Sequence, residues 1–306
     1  MKNMKLSLKL IGGFVIVAFI TLAIGFVGWN GANSLKEDLD TLSEVEIPSI
    51  NNLRIIDRQL AALRTAQRTL LNTNLQLEDR KRQYENVAKA REEYAKAITV
   101  VDSLPRSPEQ DRLWQEFKTE LDAWKEKNNE FFQTVQELEK TDIFDPVALE
   151  KSLEKFRGDH YNLLSKTINL IHSGENFTGG DDAAQCNFGK WIAQFKTTNP
   201  VLNTSLSEIV APHEKFHHAV EKIKKLVNTH NISLAENTVV VSDIYEKEMV
   251  PAQEEFMKYF AAMQEEASKA KALYSKIYDL AMIAAAQEKK AIAPLARSIH
   301  ESSEEV

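Results

Sequence analysis

Apolar residues three and four positions apart recur through four long segments of this chain, and that spacing confines it to packed helices. The first segment reads Leu53, Ile56, Leu60, Leu63, Gln67, Leu70, and the second Tyr84, Val87, Arg91, Tyr94, Ile98, Val101. Beyond a turn holding Pro105 and Pro108, the third reads Leu113, Phe117, Leu121, Trp124, Asn128, Phe131, Val135, Leu138. The fourth reads Phe256, Phe260, Met263, Ala267, Ala270, Tyr274, Ile277, Ala281, Ala284. Alternating threes and fours are the seams of helices in a left-handed bundle. Ten glycines and eight prolines in 306 residues leave few breaks in these helices, and no alternating strand pattern appears. The expected fold is all-α, a long antiparallel four-helix bundle.

Upstream of the bundle, Leu10 to Trp29 carries no charge and is long enough to cross a bilayer as a helix. Lys2, Lys5 and Lys9 precede it, whereas Glu37, Asp38 and Asp40 follow. The positive-inside rule then makes residues 1–9 cytoplasmic, 10–29 a single transmembrane helix, and the remainder exported. A cleaved signal peptide is the alternative, but its apolar region is shorter and ends at small residues, not at Trp29. The net charge of −7 argues against a nucleic-acid partner. One cysteine forms no internal disulfide, so an exported Cys186 is buried, metal-bound or reactive.

Between the third and fourth seams the composition changes. Asp145-Pro146 opens a stretch that holds six of the seven histidines, the cysteine and a glycine-bearing loop from Gly174 to Gly180. We read residues 146–231 as a smaller helical domain inserted into a bundle formed by 30–145 and 232–306. Its residues suggest a metal site. His213 and His217, four apart on a helix, lie on one face roughly 40° from each other. With His160 and Cys186 they supply three imidazoles and a thiolate, a good tetrahedral set for Zn2+. His172 is the alternative to His160, and His218 points away from the pair. Asp159 and Glu214 are candidate acceptors for the outer ring N–H groups.

The order Asp159-His160, then Cys186-Asn187-Phe188-Gly189-Lys190-Trp191, then Pro212-His213 and His217, resembles the chemoreceptor zinc-binding (CZB) domain of bacterial chemotaxis receptors. Carried over by position, that family's three-histidine, one-cysteine site falls on His160, Cys186, His213 and His217. The family has Trp three residues after its first histidine and this chain has Leu163, a change expected to weaken packing under His160. The apolar N-terminal helix, the Ile47-Pro48 break and Met249-Val250-Pro251 near the last helix resemble the sensor region of methyl-accepting chemotaxis proteins. The resemblance implies a zinc-binding sensor in signal transduction, responsive to zinc or, as in some members, to hypochlorous acid. It also implies a bacterial inner-membrane location with the bulk periplasmic, and chemotaxis receptor components as partners. Bundles of this type pair, so a homodimer is expected.

His213-Glu214-Lys215-Phe216-His217 also fits the His-Glu-x-x-His pattern of zinc peptidases, in which the glutamate is the general base. A fourth protein ligand would close such a site, and catalysis needs an open position. The chain is therefore not expected to be an enzyme. A ligand-binding bundle with a purely structural zinc is the other reading. On the first bundle helix Arg54, Arg58, Arg64 and Arg68 share an arc that could face an anionic ligand, or could simply be a solvated, internally paired face.

Overall fold

A computed structural model describes residues 5–229 and 234–304 of the chain. The described residues contain helices and no strand. The helices are α1 (Leu6–Thr41), α2 (Ile47–Leu70), α3 (Leu77–Ser103), α4 (Pro108–Lys140), α5 (Pro146–Ser173), α6 (Asn187–Ile192), α7 (Pro200–Glu208), α8 (Val210–Thr229), α9 (Leu234–Ile244) and α10 (Val250–Glu304). Single π-helical turns, Leu42–Glu46 and Tyr245–Met249, run directly into α2 and α10. Each lies just ahead of a proline, Pro48 or Pro251. A proline ring clashes with the carbonyl four residues back and donates no N–H, so a widened turn at that point lets the chain stay helical.

The helix that carries the N-terminal apolar run does not stop at Trp29. It continues as helix to Thr41, and none of α1 is buried. The helix has a mean hydropathy of 2.7 over its most apolar stretch, apolar and long enough to cross a membrane.

The helices gather into two compact units. The first comprises 1–67, 78–126 and 284–306. Leu53, Ile56, Leu60 and Leu63 of α2 are buried there, as are Trp114, Phe117, Leu121 and Trp124 of α4 and Ala284, Ala291 and Leu295 of α10. The indole of Trp114 donates to Asp102 at 2.7 Å. Every residue of the α4 seam read from the sequence is buried. On α3 the buried line is Val87, Ala90, Tyr94, Ala97, Val101, while Tyr84, Arg91 and Ile98 are only half-buried. The alanines, with no bulk beyond Cβ, take the innermost positions.

The second unit comprises 68–77 and 127–283 and contains the described residues of 146–231, which run to 229. The junction expected at 231/232 lies outside the described residues. The start of this stretch follows its sequence signals. Asp145 caps α5 by accepting from the Ala148 N–H at 2.9 Å, with Pro146 at the first helical position. Asn199 caps α7 in the same way ahead of Pro200. Pro212 falls in the first turn of α8, where its missing N–H costs no intrahelical bond. The core of this unit is aromatic: Phe131, Phe156, Phe188, Phe216, Phe256 and Phe260 are all buried.

Candidate metal centre

Three elements bring four donors together. His160 comes from the middle of α5, His213 and His217 stand one turn apart on α8, and Cys186 is the residue that caps α6. The Nε2 atoms converge: His213 to His160 3.0 Å, His213 to His217 3.0 Å, His217 to His160 3.4 Å. Cys186 Sγ lies 3.4 Å from His213 Nε2, and all four donor atoms fall within 4.8 Å of one another. A tetrahedral zinc with bonds of about 2.0–2.1 Å to nitrogen and 2.3 Å to sulfur separates its donors by roughly 3.3–3.6 Å. Four of the donor separations here, 3.0–3.4 Å, lie at or slightly under that size, and none exceeds 4.8 Å. His172 is exposed near the end of α5, three turns from His160, and His218 is exposed beside Glu221.

The outer ring nitrogens explain the orientation. His160 Nδ1 donates to the Phe156 carbonyl at 2.6 Å, and His217 Nδ1 donates to the Gly180 carbonyl at 2.8 Å. Those bonds place the proton on Nδ1 and leave the Nε2 lone pair facing inward, the tautomer that a metal ligand needs. The carboxylates expected in that role act elsewhere. Asp159 accepts from the Asn187 amide at 2.8 Å and so ties α5 to the Cys186 turn, and Glu214 is exposed.

Burial keeps the imidazoles neutral. It pulls His160 down to about 4, against the opposing pull of the Phe156 carbonyl. It pulls His213 down to about 3, with His217 and His160 adding to the shift. His217 is lowered too, chiefly by burial, while the Gly180 carbonyl, Asp182 and Asp181 oppose it. Burial raises the Cys186 thiol, opposed by the N–H groups of Gly189 and Phe188. Neutral imidazoles have lone pairs to offer, and a cation at the centre of the cluster would be met by three nitrogens and, once the thiol proton leaves, a thiolate, a donor set that suits zinc.

Two glycines make the loop possible. A Cβ on Gly189 would sit 1.9 Å from the Ala183 carbonyl oxygen, so the glycine of the Cys-x-Phe-Gly string lets the preceding turn fold back onto α6. The Gly189 N–H then donates to Cys186 Sγ at 3.1 Å. Gly180 has φ +85°, and a Cβ there would lie 2.5 Å from Leu163 Cδ1. Leu163, expected to leave packing weak beneath His160, lies against the glycine whose carbonyl orients His217. His160 is packed by other residues: Phe256 at 5.1 Å between ring centroids, Phe216 at 5.7 Å, and Phe188 and Phe260 at 6.2 Å. Phe256 and Phe260 were legible only as bundle seam, although their period already placed them on one face of α10.

Comparison with known proteins places this geometry in context. The family described as "four helix bundle sensory module for signal transduction" matches residues 3–176, more than half of the chain. The chain belongs to that family. Residues 160–224 also match the chemoreceptor zinc-binding domain, a span that begins at His160 and contains Cys186, His213 and His217. The sensory-module match runs through α5, so the two spans share the helix that carries His160. Neither the curated proteins nor the solved structures returned a match. This is a chemoreceptor-type sensory protein with a zinc-binding domain. Its arginine arc is divided: Arg64 pairs with the buried Glu288 at 3.2 Å, whereas Arg54, Arg58 and Arg68 are exposed.

Proposed function

We propose that this protein is a bacterial membrane-anchored sensor in which His160, Cys186, His213 and His217 together hold one Zn2+. The convergence of three Nε2 atoms and one Sγ within 4.8 Å carries this reading. The apolar α1 crosses the inner membrane once, with residues 1–9 cytoplasmic and the bulk in the periplasm as a homodimer working with chemotaxis receptor components. The lysines before α1 and the match to the sensory-module family support that placement. A zinc ion supplies Lewis acidity that holds Cys186 as a thiolate near neutral pH. Cys186, the half-buried ligand, is then the one an oxidant reaches.

Ligation is felt by α10 because His160 packs on Phe256 and Phe260, about two and three turns beyond the π-helical turn that starts the helix. Loss of zinc or oxidation of Cys186 frees His160 and changes how those rings pack. Hydrogen exchange on the full chain in nanodiscs tests this. Zinc removal is expected to raise exchange locally and reversibly around Phe256–Phe260 and in the 174–189 loop. Exchange rising uniformly across all helices would favour zinc as a structural staple. We assign no enzymatic activity: four protein donors complete a tetrahedral zinc, and Glu214 of the His-Glu-x-x-His string is exposed. Peptide hydrolysis abolished by Glu214→Gln would reverse that assignment.

A further inference from the structure

A solvent-open cleft of about 590 Å³ reaches the cluster from one side. Its lining includes Asp181, Asp182, Glu214, Lys215, His217 and His218. His217 is only 1% exposed, so this cleft is where a buried donor residue forms part of a solvent-facing wall. The approach past His160 is different in kind, because Phe188, Phe216, Phe256 and Phe260 pack around that ring. A hydrated divalent cation does not cross an aromatic wall, since stripping its water there has no compensating ligand. On the cleft side, carboxylate oxygens can replace water molecules one at a time.

The charges are unequal: three carboxylates line the cleft against the Lys215 ammonium there and the Lys224 ammonium paired with Asp181. Asp182 is fixed at the mouth, accepting from the Ala184 N–H at 2.8 Å. Asp181 is held 3.6 Å from Lys224, which also donates to the Gly179 carbonyl at 2.9 Å. Glu214 follows His213 on α8 and is exposed. The fields of these groups reach the donors: Asp182 and Asp181 act on His217, and Asp182 also acts on Cys186.

Resting on the zinc reading above, we infer that this carboxylate-lined cleft is the path by which the free hydrated cation enters and leaves. Asp181, Asp182 and Glu214 act as positioning residues, not as ligands of the bound ion. An excess of negative charge in a cleft raises the arrival rate of a cation, by roughly 10- to 1,000-fold in steered systems. The same field turns away anionic chelates of the metal. The cleft therefore selects for the free ion, and the rates of loading and removal depend on the charge of the carrier.

The test is stopped-flow loading of the full chain, in nanodiscs, with cobalt(II) alone, followed through the thiolate-to-cobalt absorption of Cys186. Wild type is compared with Glu214→Gln and with the triple variant Asp181→Asn, Asp182→Asn, Glu214→Gln, in which the asparagines keep an acceptor oxygen for the loop. At low salt the triple variant is expected to load at least about tenfold more slowly and Glu214→Gln about two- to threefold more slowly. All three are expected to reach the same final spectrum. The rates should converge near 1 M salt, where the screening length is about 3 Å. Removal by the anionic chelator EDTA is expected to be faster in the triple variant. Equal loading rates at low salt, or an altered spectrum at saturation in Glu214→Gln, would overturn the inference while leaving the four-ligand site standing. A wild type that takes up no cobalt overturns the zinc reading and this inference with it.

Discussion

Replacing Gly189 by alanine isolates the part of the site that the backbone builds. The new Cβ would lie 1.9 Å from the Ala183 oxygen, about 1.5 Å inside the 3.4 Å at which ordinary contact begins. The Cβ position is fixed by the backbone and the oxygen is a backbone atom, so no side-chain rotation relieves the overlap, and the 183–186 turn must move away from α6. Cys186 is carried on that turn and its Sγ is held by the Gly189 N–H at 3.1 Å. Metal–ligand distances tolerate about ±0.2 Å, so a displacement of this size takes sulfur out of bonding range while the three imidazoles stay in place. The fold is expected to lose only about 1–3 kcal/mol, the usual cost of overpacking. Zinc affinity is expected to fall at least about 100-fold, with the cobalt(II)–thiolate absorption gone. Competition against a calibrated zinc indicator measures the first and absorption spectroscopy the second. A Gly189→Ala protein with unchanged zinc affinity and an unchanged thiolate band would show that the close approach to Ala183 does not position Cys186.

The titration directions give a proton count. Burial leaves the three histidines neutral at pH 7.5 but keeps Cys186 protonated. Zinc uptake should therefore release about one proton, from the thiol. Affinity should then rise about tenfold per pH unit between pH 6 and 8. Calorimetry in buffers of different ionisation enthalpy reads the number, and two or more protons would contradict neutral imidazoles. His160→Ala should abolish stoichiometric zinc and His172→Ala should leave it intact, as measured by metal analysis; the reverse result would move the first ligand to the end of α5. Gly180→Ala puts a side chain at φ +85° and against Leu163, at a cost of about 1–3 kcal/mol. Moving the carbonyl that holds His217 should also weaken zinc about 10- to 100-fold. A variant with wild-type affinity would show that the Gly180 carbonyl is dispensable.

The fold class was legible because period-seven seams depend only on which residues are apolar. The α4 seam from Leu113 to Leu138 is buried throughout for that reason. The α3 seam slipped by a residue at Ala90 and Ala97, where small side chains occupy the tightest positions and reading by bulk favours Arg91 and Ile98. The four donors were legible because their residue types are rare here and two of them share a helical face. Their outer-shell partners were not, since the carbonyls of Phe156 and Gly180 leave no trace in residue identity. Asp159 and Glu214 misled because each is next to a ligand in sequence. On a helix, adjacent residues point about 100° apart, so neither reaches its neighbour's ring. Leu163 misled differently: three residues after His160 it is only about 60° round the helix, yet it packs against Gly180.

X-ray absorption at the zinc edge of the purified full chain, with metal analysis of wild type, Cys186→Ala and His217→Ala, tests the four-ligand assignment most directly. The expected result is one zinc per wild-type chain with three nitrogens at about 2.0–2.1 Å and one sulfur at about 2.3 Å. Stoichiometric zinc should be lost from both variants. A zinc shell without sulfur, or a Cys186→Ala protein that keeps its zinc unchanged, would contradict it.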